Sequence, residues 1–255
     1  MKRIIIKIGT KLLSTVDNQL DTHSLKHMVS QIASLKKDSD FDVIVVTSGA
    51  IVFGSEEMGI TATSIPEKQA AAAVGQLALL KQYHDFFEQE GIKIGQLLLT
   101  QDIPEHSIKK ENVINTVNTL LGQNVIPIIN ENDTVSTEEI KFGDNDILAS
   151  IVAILLDADL LILLTDQDGL YDKNPNKHTD AKLITEINEV TEAMINASDS
   201  DIDAKGQGGI KSKLLAARKM LAHNKLMVIA NGRQKNVITD IMNGLPVGSH
   251  FIKRS

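Results

Sequence analysis

The sequence of 255 residues contains no cysteine, no tryptophan and few aromatic residues, and each absence excludes a class of protein. Without cysteine there is no disulfide framework, no thiolate metal site and no cysteine nucleophile. Aromatic residues make up 3% of the chain, which leaves few platforms for stacking the bases of single-stranded nucleic acid. The lack of thiols suits a reducing compartment, and we expect a cytoplasmic protein.

The chain also lacks an excess of positive charge and a long hydrophobic run. It has 26 Lys+Arg against 33 Asp+Glu, a formal net charge of −7, whereas nucleic-acid-binding proteins normally present a basic face to phosphate. The most apolar stretch, residues 147–164, is interrupted by Asp157 and Asp159, which argues against a membrane span. We therefore expect neither a nucleic acid nor a membrane as a partner.

What the sequence does contain is a regular alternation of short apolar runs and helical patterns. Continuous apolar runs that alternate with helices are typical of a parallel sheet covered on both faces. The pattern predicts an α/β fold, a three-layer αβα sandwich with a mainly parallel central sheet. The predicted strands are 3–8, 42–47, 92–100, 125–130, 160–165 and 225–230, and the predicted helices are 24–36, 66–88, 113–121, 145–156, 210–223 and 237–243.

Polar segments follow several of the predicted strands, where open parallel sheets bind their ligands. Lys7 and Gly9 follow the first strand and could face a phosphate, and Ser48 follows the second. Asn130, Asn132 and Asp133 follow the strand 125–130, and Asp133 could receive a substrate ammonium. Taken one at a time, these residues are equally typical of ordinary turns and helix caps.

Three further segments add charge and hydrogen-bonding groups. Asn145 and Asp146 precede an apolar helix, where Asn145 could bind substrate and Asp146 could either orient lysines or hold hydrated Mg²⁺. Thr165 and Asp166 follow the strand 160–165 and could hold a nucleotide. The last segment is a plausible phosphate cradle at a helix start and consists of Gln207, Gly208, Gly209, Ile210, Lys211, Ser212 and Lys213.

Together these segments put two lysines, Lys7 and Lys213, around a centre rich in carboxylates and amides. Transfer of a phosphoryl group to an anionic acceptor needs this distribution, because two anions repel and charge spreads over the phosphoryl oxygens in the transition state. The residues themselves therefore favour a phosphotransferase.

Six segments, in this order, resemble the motifs of the amino-acid kinase family, from Lys7 to about Gly248. They are Lys7-Ile8-Gly9-Thr10, Thr47-Ser48-Gly49-Ala50, Asn130-Glu131-Asn132-Asp133, Gly143-Asp144-Asn145-Asp146, Leu164-Thr165-Asp166 with Asp168-Gly169-Leu170-Tyr171, and Gly208-Gly209 through Lys213. Within the family, the third and fourth segments are most similar to those of the members that act on glutamate. The resemblance implies ATP-dependent phosphorylation of the L-glutamate side-chain carboxylate to L-glutamyl 5-phosphate, the first step of proline biosynthesis from glutamate.

The resemblance also implies roles for individual residues. Glutamate would be bound by Ser48, Asp133 and Asn145, with Asn130 and Asn132 close by. Lys7 and Lys213 would contact the ATP phosphates and the transferring group, and Asp146 would hold these lysines in place. Nucleotide would be bound by Lys7, Thr165, Asp166 and the segment 207–213, and Mg²⁺ would arrive with ATP without a directly assigned protein ligand.

The resemblance further implies how the chain is organised and what it meets. We expect one kinase domain over residues 1–255, with a substrate-binding lobe to about 157, a nucleotide-binding lobe from about 158, and no C-terminal PUA domain of the kind many bacterial relatives carry. A homodimer or homotetramer, feedback inhibition by proline and delivery of the product to glutamyl-phosphate reductase are expected on the same basis.

Two departures from the family pattern affect these expectations. The last motif is usually close to TGGMxTK, whereas residues 207–213 read QGGIKSK. The individual contacts of the nucleotide loop are therefore less well defined by the resemblance. The region 101–118 looks longer than usual, and the relatives' Asn-Ala-Arg stands here as Asn115-Thr116-Val117. The loss of that arginine concerns feedback control and subunit contacts more than the chemistry.

Two other interpretations stay open at this point. A sibling kinase could act on acetylglutamate, aspartate, carbamate or a nucleoside monophosphate, although the segments 130–133 and 143–146 disfavour it. A non-catalytic regulator that binds a nucleotide or an amino acid could use the same fold, although the presence of Lys7, Asp146 and Lys213 argues against it.

Overall fold

An eight-stranded, mainly parallel sheet forms the middle layer of the part of the chain that the structure describes. The computed structural model describes residues 2–38, 40–135, 145–175, 177–199 and 209–253. The strands are β1 (Lys2–Ile8), β2 (Phe41–Val46), β3 (Lys93–Leu99), β4 (Val125–Glu131), β5 (Leu160–Thr165), β6 (Leu170–Tyr171), β7 (Leu183–Ile184), β8 (Glu186–Ile187), β9 (Leu226–Asn231) and β10 (Ser249–Phe251). Their order across the sheet is β3-β4-β2-β1-β5-β9-β10-β8, with β9 and β10 antiparallel, while β6 and β7 form a separate antiparallel pair.

Helices cover both faces of this sheet. They are α1 (Thr10–Leu13), α2 (Thr22–Lys37), α3 (Ala50–Glu57), α4 (Ile65–Gln89), α5 (Ser107–Gly122), α6 (Asn145–Leu155), α7 (Glu192–Asp199), α8 (Ile210–Ala222) and α9 (Val237–Met242), with a short 3₁₀ turn at Ile103–Glu105. Alternate side chains of β1 face opposite layers, as the period of a strand requires. Ile5 packs with α5, α6 and α8, whereas Ile4 and Ile6 pack with α2, α4 and α9. The three-layer αβα sandwich with a mainly parallel sheet is therefore confirmed.

The differences from the expected elements have simple physical causes. Helix α5 begins at Ser107, six residues before the predicted start at 113, because its first turns are polar and exposed and carry no apolar periodicity. The strands β6, β7, β8 and β10 have two or three residues each, too few for an alternating pattern to be recognised. The helices α1, α3 and α7 are not among the predicted helices; they have four, eight and eight residues.

Helix α4 is the longest element, and both its start and its position are fixed by local chemistry. Ser64 accepts a hydrogen bond from the backbone N–H of Glu67, whose carboxylate accepts one in return from Ser64, and Pro66 lies in the first turn. Further along, a Cβ on Gly75 would lie 2.0 Å from the carbonyl oxygen of Ala50. The absence of that Cβ lets the backbones of α3 and α4 touch, which brings α4 against the ends of β2 and β4.

The carboxyl ends of β1, β2, β4 and β5 lie at one edge of the sheet because these neighbouring strands run parallel. In register, Lys7 of β1 lies between Val46 of β2 and Leu163 of β5. This edge is where the sequence predicts the ligands to bind. Over the ranges that the structure describes, no helix is both long and apolar enough to cross a membrane.

Candidate active site

The centre of the candidate site is Asp146, a fully buried carboxylate held between two lysines. Asp146 lies in the first turn of α6, and 0% of its surface is exposed. Its Oδ1 is 2.6 Å from Nζ of Lys7, at the end of β1, and its Oδ2 is 2.9 Å from Nζ of Lys213, in the first turn of α8. A single carboxylate thus fixes the relative position of two ammonium groups that come from opposite ends of the sequence.

The ionisation of Asp146 follows from these contacts. Burial opposes the charged form, but the ammonium groups of Lys213 and Lys7 outweigh it and hold the pKa of Asp146 well below its usual range. The hydroxyl of Ser212 lies 3.3 Å from Oδ2 and 2.8 Å from the carbonyl oxygen of Gly209. Asp146 is therefore a permanent anion between two cations, and the cluster carries a net positive charge toward the edge of the sheet.

Next to this cluster, Asn145 organises a chain of buried amides. Its Nδ2 donates to the backbone oxygen of Thr47 at 2.5 Å, to Oγ of Ser48 at 3.2 Å and to Oδ1 of Asn130 at 2.7 Å. Nδ2 of Asn130 in turn donates to Oε1 of Gln76 on α4 at 2.5 Å. The ends of β2 and β4 and the start of α6 are thus joined to α4 by side-chain hydrogen bonds.

The turn after β2 presents Ser48 to this network. Gly49 has φ +103°, a left-handed conformation, and a Cβ there would lie 2.6 Å from the ring of Phe53. Gly49, and not Ser48, is at the N-cap position of α3, and no side chain caps that helix. The hydroxyl of Ser48 therefore stays available to the polar centre, where it accepts the hydrogen bond from Asn145.

A cavity of about 100 Å³ lies between α4 and the turn after β4. Gln76 of α4 lines this cavity, together with the buried Glu131 at the end of β4 and the residues Asn132, Asp133 and Thr134 that follow it. Burial raises the pKa of Asp133 to about 6, because no cation among the described residues offsets the loss of hydration. Asp133 is thus a carboxylate whose ionised form a ligand cation would stabilise.

The expected nucleotide side lies at the end of β5. Oγ1 of Thr165 donates to Oδ1 of Asp166 at 3.1 Å, and Nζ of the exposed Lys11 is 3.9 Å from Oδ2 of Asp166. The N–H of Gly9 donates to the carbonyl oxygen of Leu164 at 3.1 Å, so this one N–H is engaged within the protein. A Cβ on Gly9 would lie 3.2 Å from the same oxygen, so the glycine also lets the ends of β1 and β5 lie close together.

At the start of α8, the structure separates residues that the sequence treats as one cradle. Gly209 precedes the helix, and Ile210 and Lys211 are exposed. Ser212 is buried and turned to Asp146, beside Lys213. Four residues of the predicted motifs, Gly143, Asp144, Gln207 and Gly208, lie outside the described residues.

Two residues at the site were not predicted from the sequence. Gln76 follows the segment Ala70 to Gly75, which looks like a helix face of small residues. The signal that could have identified it is an uncharged polar side chain next to a glycine in that apolar stretch. The other is Lys11, which follows the first motif in the sequence, and its reach to Asp166 depends on the pairing of β1 with β5.

Comparison with known proteins relates this geometry to a family. Residues 2–231 match the model of the amino acid kinase family. The chain is 44% identical to a glutamate 5-kinase of Syntrophus aciditrophicus over 99% of the chain, and it spans 66% of that protein's length. It is 41% identical to a glutamate 5-kinase of Listeria innocua and 40% identical to one of Enterococcus faecalis, covering 99% of the chain and 94% and 95% of those proteins.

Solved structures share the fold at low sequence identity. A carbamate kinase from Giardia lamblia bound to AMP-PNP aligns over 99% of both chains with a TM-score of 0.69 and 17% identity. A UMP kinase from Bacillus anthracis aligns over 100% of this chain and 97% of its own with a TM-score of 0.68 and 18% identity. An isopentenyl phosphate kinase from T. acidophilum aligns over 98% of this chain and 100% of its own with a TM-score of 0.67 and 16% identity. Proteins with this architecture are therefore named as kinases of several different phosphoryl acceptors.

Proposed function

The chain belongs to the amino acid kinase family, and we propose that it transfers the γ-phosphoryl group of ATP to the side-chain carboxylate of L-glutamate. The products are L-glutamyl 5-phosphate and ADP, and the reaction is the first step of proline biosynthesis from glutamate. Relatives named glutamate 5-kinase match nearly the whole chain at 40–44% identity, which is what favours glutamate over the acceptors of the fold's other members.

The observation that carries the chemistry is the cluster of Lys7, Asp146 and Lys213. In the reaction an oxygen of the acceptor carboxylate attacks the γ-phosphorus, and the bond from that phosphorus to the β–γ bridging oxygen breaks as ADP leaves. Negative charge then spreads over the transferring oxygens, and two ammonium groups fixed by one buried carboxylate are suited to stabilise it. No general base is required, because a carboxylate is already ionised at neutral pH.

The acceptor would lie along the amides that lead from this cluster to the cavity. Its γ-carboxylate would face the lysines beside Asn145, and its ammonium would pair with Asp133. Ser48, Asn130 and Asn132 would complete the hydrogen bonds to its oxygens and ammonium. An amino acid with a carboxylate on its side chain fits this division, because that carboxylate meets the cationic end and the ammonium meets the anionic end.

The nucleotide would lie on the β5 side of the lysines. Thr165 and Asp166 end β5, and Gly209, Ile210, Lys211, Ser212 and Lys213 form the start of α8, with Gln207 and Gly208 preceding them in the sequence. Lys7 and Lys213 would then contact the terminal phosphates from both sides. Of the described members of this set, Ser212 would act indirectly, through its hydrogen bond to Asp146.

We expect magnesium to reach this site as a companion of ATP, bound through the phosphates. In the described part of the chain, no group of three His, Cys, Asp or Glu side chains is placed to hold a metal. The buried carboxylate of Asp146 is engaged by Lys7 and Lys213. Mg²⁺ would take phosphate oxygens and water as ligands, as it commonly does, and would neutralise phosphate charge.

We extend the proposal to the organisation of the chain. Residues to about 157 would form the lobe that binds the acceptor, and residues from about 158 would form the lobe that binds the nucleotide. The chain would act as a homodimer or homotetramer. Proline would inhibit it, and its product would pass to glutamyl-phosphate reductase. Light scattering would measure the mass of the particle, and assays with and without proline would measure the inhibition. A monomer unaffected by proline would contradict both expectations.

The function itself is tested by incubating the protein with ATP, Mg²⁺ and L-glutamate. Hydroxylamine traps the labile acyl phosphate as a hydroxamate, and ADP release is followed in parallel. We expect both products with L-glutamate. Faster turnover with aspartate, acetylglutamate, carbamate or UMP would contradict the assignment, and the absence of any turnover would favour a non-catalytic regulator.

A further inference from the structure

The side chain of Gln76 has a defined orientation, because the amides next to it are fixed. Oδ1 of Asn130 accepts hydrogen bonds from Nδ2 of Asn145 at 2.7 Å and from the backbone N–H of Glu131 at 2.9 Å. Nδ2 of Asn130 must therefore point the other way, where it donates to Oε1 of Gln76 at 2.5 Å. With its oxygen occupied, Gln76 has its Nε2 donor left for another partner.

That donor is buried, belongs to a residue that lines the cavity, and is not satisfied by any described residue. Nε2 of Gln76 has no hydrogen-bond partner within the described ranges, although it is removed from solvent. A buried N–H group without a partner costs about 1–3 kcal/mol, and such groups in native structures call for an explanation. The terminal torsion of a glutamine has a broad energy minimum, so Nε2 can adjust toward a ligand in the cavity that Gln76 lines.

We propose that Gln76 is a further substrate-binding residue, which donates a hydrogen bond from Nε2 to the α-carboxylate of the acidic substrate. The inference rests on the proposed function, since it takes the substrate to be an amino acid with a second carboxylate. Asp133 lines the same cavity and would receive the ammonium. Gln76 and Asp133 together then recognise the two groups on one carbon atom, a donor for the anion and a carboxylate for the cation.

The position of Gln76 in the chain of amides indicates which carboxylate it meets. Asn145 is adjacent in sequence to Asp146, which holds the two lysines, and Asn130 and then Gln76 follow outward from it. The carboxylate that accepts the phosphoryl group must lie at the lysines. The carboxylate at Gln76 is therefore the one that does not react, and the side chain acts on binding and selectivity more than on the rate of transfer.

Two substitutions separate the donor from the rest of the side chain. Gln76→Glu keeps an oxygen that can accept from Asn130 but replaces Nε2 by an anionic oxygen, whereas Gln76→Met removes both polar atoms at similar volume. Loss of a hydrogen bond to a charged group predicts a KM for L-glutamate raised roughly 10- to 100-fold in Gln76→Met, and more in Gln76→Glu because of repulsion. The KM for ATP and kcat at saturating L-glutamate should change by less than about 3-fold. Gln89→Met, at an exposed position of the same helix, is the matched control and should behave as the unmodified protein.

The decisive measurement compares L-glutamate with 4-aminobutyrate, which keeps the ammonium and the reacting carboxylate and lacks the α-carboxylate. By calorimetry, Gln76→Met should weaken binding of L-glutamate roughly 10- to 100-fold and binding of 4-aminobutyrate by less than about 3-fold. Equal weakening of both ligands would indicate that Gln76 only supports Asn130, and no weakening of either would remove it from the site; both outcomes would overturn the proposal. If the unmodified protein makes no hydroxamate from L-glutamate, the proposed function fails, but calorimetry still decides the contact because it does not depend on phosphoryl transfer.

Discussion

At the phosphoryl end of the site, a lysine faces each oxygen of Asp146, whereas at the acceptor end no described residue offers a hydrogen-bond partner to Nε2 of Gln76 or a cation to Asp133. The pKa of Asp146 lies below its usual range, and that of Asp133 is raised to about 6. One buried carboxylate is therefore stabilised as an anion by the protein itself, and the other is destabilised as an anion by burial. Nε2 of Gln76 adds an unsatisfied donor to the same end.

This difference separates the part of the site that is complete without ligand from the part that a ligand completes. Stabilisation of a transferring phosphoryl group is most effective when its cations are fixed beforehand, because no reorganisation is then needed during the reaction. Recognition of an amino acid instead gains from groups whose partners are supplied by the substrate, because an analogue without those partners leaves them buried and unpaired. Substitutions at the two ends should accordingly change different kinetic constants.

The largest effect is expected at the phosphoryl end from Lys213→Ala. Loss of one fixed cation from the transferring group should lower kcat roughly 100- to 1,000-fold, with the fold retained because Lys7 still pairs with Asp146. Steady-state assays and thermal melting measure the two effects. Lys219→Ala, at an exposed position of the same helix, should leave both unchanged. A kcat near that of the unmodified protein would remove Lys213 from the chemistry.

At the acceptor end, Asp133→Asn should act on binding. The substitution removes the anion that pairs with the substrate ammonium, so KM for L-glutamate should rise roughly 10- to 100-fold while kcat falls much less. Asp17→Asn, the same change in an exposed turn, is the control. If kcat falls and KM does not, the two ends of the site do not divide their roles in this way.

The pH dependence of KM should distinguish the two carboxylates. Because the pKa of Asp133 is about 6, its protonated form gains population as the pH falls through 6 and cannot pair with an ammonium. We expect KM for L-glutamate to rise about 10-fold per pH unit below 6, and this slope should disappear in Asp133→Asn. Asp146 stays ionised throughout this range and adds no slope of its own. A slope retained in the variant would assign it to another group.

Burial of Asp133 should also be visible in the stability of the ligand-free protein. The folded-state pKa lies above the ordinary value of 3.8, so the contribution of this carboxyl to stability is present at low pH and is lost as the pH rises through about 6. Asp133→Asn should therefore raise the free energy of unfolding by about 1–2 kcal/mol at pH 7.5, after a discount for partial exposure, and by less at pH 5. Denaturant unfolding at the two pH values measures this, and a destabilised variant at pH 7.5 would contradict it.

The sequence alone predicted the main strands of the sheet and most of its helices, because residues such as Ile4–Ile6 belong to continuous apolar runs that are typical of a parallel strand covered on both faces. It also predicted that strand-end residues such as Lys7 and Asn130 would lie at the same edge of the sheet, since parallel strands end at one edge. It could not give the direction of a side chain. Whether Ser212 faces solvent or Asp146, and which end of the Gln76 amide is occupied, depends on contacts between elements more than 50 residues apart.

The smallest effect on KM is expected from Tyr83, a residue of α4 that is linked to the site only through Thr47. The hydroxyl of Tyr83, seven residues after Gln76, lies 3.0 Å from Oγ1 of Thr47, whose backbone oxygen accepts from Asn145. Tyr83→Phe removes one buried neutral hydrogen bond and should cost about 0.5–1.5 kcal/mol of stability in denaturant unfolding. KM for L-glutamate should change by less than about 3-fold, since the Asn145 and Asn130 contacts persist. A KM effect as large as that of Asp133→Asn would mean that binding at the acceptor end depends on the residues behind the site as much as on those that contact the substrate. The acceptor end and the phosphoryl end would then differ in rigidity and not in charge.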